Sequence, residues 1–116
     1  SKAYAGLAQI SKADGNYNKA VTELKNAIAA RPFDKAYILL AEIYVDQAKY
    51  DLALEAADKA MNIRKGISKG AIYYYKGMAF KGKKDNAKAK ENFELGKKDK
   101  QYGKNCQHEL KVMSSY

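Results

Sequence analysis

Small and apolar residues recur along this chain in steps of three and four, and the same run of them is spelled three times. GNYNKAVTELKNAIAARP starts at Gly15, AKYDLALEAADKAMNIRK at Ala48, and a looser version, KDNAKAKENFELGKKDKQ, at Lys84. Aligned on Tyr17, Tyr50 and Asn86, the copies lie 33 and 36 residues apart. Each carries a small residue three further on (Ala20, Ala53, Ala89), then Leu24, Ala57 and Phe93, then Ala27, Ala60 and Gly96. Steps of three and four keep these side chains on one side of a 3.6-residue helix, so the pattern predicts an amphipathic helix in every copy.

A second helical stripe precedes each: Tyr4, Leu7, Ala8; Tyr37, Leu40, Ala41, Tyr44; Tyr73, Gly77, Phe80. Each unit therefore reads helix, turn, helix. Ala8, Ala41 and Gly77 are expected where the paired helices come closest, opposite Ala20, Ala53 and Ala89, because a larger group would force the backbones apart. Asn16 and Asp85 are placed to cap the helices that follow them, and Asp34 to cap the helix after Pro32. A lone helix of this length is marginal in water and one pair cannot bury its own apolar face, which gives a reason for stacked copies. An ordinary bundle has no reason to repeat its residues in register.

A period of about 34 with small and aromatic residues in this order resembles the tetratricopeptide repeat (TPR) family, with its pattern W-x2-L-G-x2-Y…A-x3-F…P. The first unit matches through Tyr4, Leu7, Ala8, Tyr17, Ala20, Leu24, Ala27 and Pro32, and the second through Tyr37, Leu40, Ala41, Tyr44, Tyr50, Ala53 and Ala60. The third keeps Tyr73, Gly77, Phe80, Ala89 and Phe93 but has Lys76 in place of Leu and Asn86 in place of Tyr. QYGKNCQHELKVM, after it, looks like a terminal solvating helix. The resemblance implies an all-α fold, an α-solenoid of three TPR-like helix-turn-helix units (about 1–33, 34–66 and 67–99) plus a C-terminal capping helix (about 101–114). The chain opens on Ser1 without a secretory signal and is expected to be a piece of a longer protein. Ile10 and Ala3 would then face either further repeats or a second copy.

The resemblance further implies a non-enzymatic scaffold that holds a peptide or partner protein in a concave groove lined by the first helices. Equivalent positions one helical step beyond the core stripe are Lys2, Lys35, Ala71; Ala5, Ile38, Tyr74; Gln9, Glu42, Met78; and Lys12, Val45, Lys81. They would form a groove with an apolar middle and lysines at its edges. Three consecutive tyrosines in AIYYYKG point about 100° apart on a helix, so they cannot share one core. Tyr73 belongs to the core stripe, Tyr75 turns towards a neighbouring helix, and Tyr74 either anchors a peptide in the groove or packs down on Ile38. One subclass of the family clamps a terminal carboxylate with lysines, asparagines and an arginine. The matching places here hold Ala5, Gln9, Leu39, Ala71 and Tyr75, which cannot form that clamp.

Charge adds a second reading. The 116 residues carry net +9, and the split is uneven: nine basic against eight acidic residues up to position 64, thirteen against five beyond it. Lys81, Lys83, Lys84, Lys88, Lys90, Lys97 and Lys98 could draw nucleic acid, an acidic protein surface or anionic lipid, although runs of charge usually only solvate a surface. No RNA-recognition signature or helix-turn-helix accompanies them, so nucleic acid is the lesser expectation; a structural spacer is a third reading.

Other chemistry finds little support. The longest apolar run, Ala36 to Val45, is interrupted by Glu42 and falls short of the roughly 18 to 20 residues of a membrane span. The only histidine, His108, and the only cysteine, Cys106, diverge by roughly 200° on a helix and cannot share a metal or act as nucleophile and base. Gly77 to Lys84 lacks the preceding strand of a phosphate loop. The sequence thus predicts no catalytic residue, no metal and no cofactor.

Overall fold

The computed structural model describes residues 16–63 and 69–114, all of them helix or short connection. Tyr4, Leu7, Ala8 and the other positions assigned to the first helix lie outside the described residues. Six helices follow in order: α1 Tyr17–Ala30, α2 Asp34–Asp46, α3 Tyr50–Met61, α4 Gly70–Gly82, α5 Asn86–Gly96 and α6 Gly103–Ser114. No strand occurs among the described residues. The helical solenoid architecture read from the periodicity is what the chain adopts.

Local chemistry sets the helix ends. Asn16 and Asp85 sit at the N-caps of α1 and α5, their side-chain oxygens accepting from the backbone N–H of Lys19 and Lys88, each at 3.2 Å. Pro32 biases the residue before it away from helix, and Arg31 is accordingly extended, with φ −160° and ψ 109°. Asp34 departs from its expected role. Phe33 holds the N-cap of α2 without a side-chain bond, and Asp34 is the first helical residue and buried. There its charge lies at the positive end of the helix dipole.

The connections α2–α3 and α4–α5 are the same turn built twice. Gln47 and Lys83 close α2 and α4, then Ala48 and Lys84 take left-handed backbone angles, with φ 58° and 64°. The next amides reach back across the turn: Lys49 N–H donates to Tyr44 O at 2.8 Å and Asp85 N–H to Phe80 O at 2.9 Å. This six-to-one bond is the Schellman closure, which satisfies a free carbonyl at a helix end. Glycine is its usual residue, and the first copy of the sequence carries Gly15 at the equivalent place.

The repeated strip is the core. Ala20, Leu24, Ala27, Ala53, Ala57, Ala60, Ala89 and Phe93 are all buried to within 1% exposure. Helix α2 packs on α1 and α3, α4 on α3 and α5, and α6 on α5. Helices α2 and α4 also touch each other, as do α4 and α6, whereas α1, α3 and α5 make no such contacts among themselves. The described helices therefore fall into two layers, α2, α4 and α6 in one, here termed the inner layer, and α1, α3 and α5 in the other, the outer layer.

Glycines mark the closest approaches. Gly77 lies against the ring of Phe93: a Cβ there would lie 2.5 Å from Phe93 Cε1. A Cβ at Gly82 would strike the ring of Tyr50, so Tyr50 at the start of α3 lies over the end of α4. Asn86, at the equivalent place in α5, is exposed, which explains why a polar residue stands there. Lys76, the other departure, reaches back to Asp58 of α3 at 2.9 Å with most of its stem covered.

Ala48→Gly should relieve the left-handed strain, at about 1–2 kcal/mol, against a smaller entropic cost. A rise of a few degrees in Tm is expected, and no rise in thermal unfolding would show that the turn is unstrained. Gly77→Ala should cost about 1–3 kcal/mol through overpacking against Phe93. Phe93→Leu in the same chain should recover part of that loss, and denaturant unfolding of the double-mutant cycle measures the coupling.

Candidate interaction surface

The described side chains assigned to a groove lie on α2 and α4. From α2 come exposed Lys35 and half-buried Ile38, Glu42 and Val45, and from α4 come half-buried Tyr74, Met78 and Lys81. Ala71, at the same register, is buried. Lys2, Ala5, Gln9 and Lys12 lie outside the described residues.

The consecutive tyrosines part as a helix requires. Tyr75 is buried and its hydroxyl donates to Glu42 Oε1 at 2.6 Å, tying α4 to α2. Burial first, and then this bond to a carboxylate, push its phenol far above the ordinary range. Tyr74 turns to a ring cluster, with centroids 5.1 Å from Tyr75, 5.7 Å from Tyr102 and 6.2 Å from Phe93. Burial, with the Glu109 carboxylate second, raises its phenol too.

Helix α6 engages the α4 side of this surface. Tyr102 leads into it, Glu109 accepts from Lys81 Nζ at 2.6 Å, and Leu110 and Met113 pack with Met78 around the buried Ala89, Phe93 and Cys106. Lys81, expected at the groove's edge and in the basic patch, is thus in an ion pair. Asp99 fixes the approach of α6 by accepting from the backbone N–H of Gln101 at 2.9 Å and Tyr102 at 2.8 Å. Lys104, Asn105, Gln107, His108 and Lys111 on α6 are exposed. Periodicity alone did not reveal the tyrosine cluster; Tyr102, one residue before the α6 helix, was the available signal.

The C-terminal lysines are spread along the length of α5. Lys83 and Lys84 lie before α5, Lys88 and Lys90 in its first half, and Lys97 and Lys98 after it. An eleven-residue helix separates the two ends by about 16 Å. Lys83 pairs with Asp51 and Lys97 with Glu94, while Lys88 lies 4.0 Å from Asp85 and 5.5 Å from the Phe80 ring centroid.

A sequence profile for the tetratricopeptide repeat matches residues 1–34 and 34–66, more than half of the chain. The chain belongs to the tetratricopeptide repeat family. It is also 30% identical over 93 residues, 80% of its length, to the human protein named tetratricopeptide repeat protein 21B, of which it spans 7%. TPR repeats generally mediate protein–protein interaction, and the family is generally of the non-enzymatic scaffold type. Among the described residues of this TPR chain, no group of three or more His, Cys, Asp or Glu could hold a metal. No described helix is long and apolar enough to cross a membrane.

Cys106 belongs to the packing of α6. It is fully buried, and a Cβ on Gly96 would lie 2.8 Å from its Sγ. Burial, with Asp99 and Glu109 adding to it, pushes the thiol from 9.0 up to about 11. A raised folded-state value favours the neutral thiol, so this contribution to stability is complete below about pH 9 and is lost as pH rises towards 11. Alkylation of Cys106 at pH 8 should be slow in the folded chain and fast in denaturant, and Cys106→Ser should flatten the alkaline loss of stability. Equal alkylation rates in the two states would contradict the burial of this thiol.

Proposed function

We propose that this chain is a non-enzymatic interaction module that holds a peptide segment of a partner protein along its inner helix layer. Units of about 1–33, 34–66 and 67–99, closed by a helix over about 101–114, would form part of a longer protein. What supports the reading is that α2 and α4 are in contact and carry half-buried Ile38, Tyr74 and Met78, with Lys35 exposed on α2. Apolar side chains supply contact area, and a lysine at the edge favours acidic groups on the ligand. Lys2, Gln9 and Lys12 would extend the surface on the preceding helix, with Glu42 and Lys81 as its polar members. Glu42 is bonded to Tyr75 and Lys81 to Glu109, so these two serve mainly to hold the wall.

The second reading, binding of an anionic surface or nucleic acid through Lys83, Lys84, Lys88, Lys90, Lys97 and Lys98, rests on the excess positive charge of the C-terminal half. The separation of these lysines into two ends favours the peptide reading.

A photocrosslinker at exposed Lys35 should capture a defined partner, and one at exposed Leu95 on α5 should not. Ile38→Glu should lower that capture with helicity kept, as circular dichroism would show. Equal crosslinking from positions 35 and 95 would refute the groove assignment. Capture should weaken only gently between low and moderate salt, whereas phosphate-dominated binding would fall by orders of magnitude.

A further inference from the structure

A cleft of about 350 Å³ opens on the outer layer, between α1 and α3, with α2 as its floor. It is remote from the inner-layer groove and makes no use of the residues assigned there. Ile28 and Tyr37 line its interior, and Leu52 stands at α3, 43% exposed. Leu52 and Leu95 are the two large apolar side chains that the described residues leave exposed, and Leu52 borders this cleft. Lysines border it on both walls: Lys25 on α1 and Lys59 on α3, the latter 3.3 Å from Glu55 in a pair exposed enough to exchange partners at little cost.

We propose that this cleft is a second docking site, for an acidic peptide that inserts one bulky apolar side chain between α1 and α3 and sets a carboxylate against Lys25 or Lys59. The volume is at the small end of ligand sites and suits one or two side chains, not a whole helix. Charge selects the occupant. The excess positive charge lies beyond position 64, but the net +9 still repels a second copy, and at the cleft itself Lys25 and Lys59 outnumber Glu55, the acidic residue among its described lining, so an acidic segment is drawn in.

The test is a titration of the isotopically labelled 116-residue chain with the blocked pentapeptide Glu-Asp-Phe-Leu-Glu, followed by NMR. Shifts should concentrate at Ile28, Tyr37 and Leu52. Leu52→Ala and Lys25→Glu should each weaken binding by about tenfold, the loss of one anchor. Ile38→Glu, on the inner layer, should leave it unchanged, so this site and the groove fail or stand separately. A Lys-Lys-Phe-Leu-Lys peptide should not bind. The proposal is overturned if shifts map to α4 and α6, if the Leu52→Ala chain binds equally, if the basic peptide binds as well, or if no shift occurs. It is also overturned if shifts at Leu52 depend on protein concentration without peptide, since the occupant is then a second copy.

Discussion

Close approach of helix backbones at small residues is the constraint on which the rest of the molecule depends. Alanine or glycine at the contact of each helix pair lets large neighbours fill the remaining space, as Phe93 does over Gly77 and Tyr50 over Gly82. Packing at this density leaves no room for an added methyl group, and it fixes how one helix sits on the next. Because α2, α3, α4 and α5 each contact at least two other helices, no single hairpin holds its own core. Stability is a property of the stack.

Polar groups then select among the arrangements that burial allows. Tyr75 to Glu42 and Lys76 to Asp58 each cross from one hairpin to the next, one on the inner layer and one behind it. Neither adds much apolar area. What they supply is direction, since a hydrogen bond of fixed geometry is lost when one helix slides along another, whereas apolar contact tolerates the shift.

Helix α6 divides its faces between packing and water. Helix α6 offers a fully buried Cys106 and half-buried Leu110 and Met113 on one side and exposed polar residues on the other. It covers the apolar surface of α4 and α5 and meets water with its remainder. In doing so it engages Tyr102 and Glu109 with the residues of α4, so the inner surface is most open along α2. The inner and outer layers thereby present different chemistry: lysine beside half-covered apolar groups inside, and a narrow cleft with a leucine at its mouth outside.

Most of the helical framework was legible in the sequence, because steps of three and four, capping residues and proline act locally and leave a direct trace. The buried strip from Ala20 to Gly96 was identified residue by residue, as were the caps Asn16 and Asp85. Asp34 was misplaced by one position because a cap and a first helical residue share the same preference for acid. Contacts between side chains distant in the chain left no such trace. Gly77 against Phe93, Lys76 against Asp58, Tyr74 among the rings of Tyr102 and Phe93, and the division of the lysines between two ends of α5 all depend on how helices rotate and stack. The sequence by itself determined that the chain is a repeated helical array, since periodicity is a property of the chain. Only the tertiary structure decided which side chains remain reachable, because accessibility is set by neighbours that sequence spacing does not name.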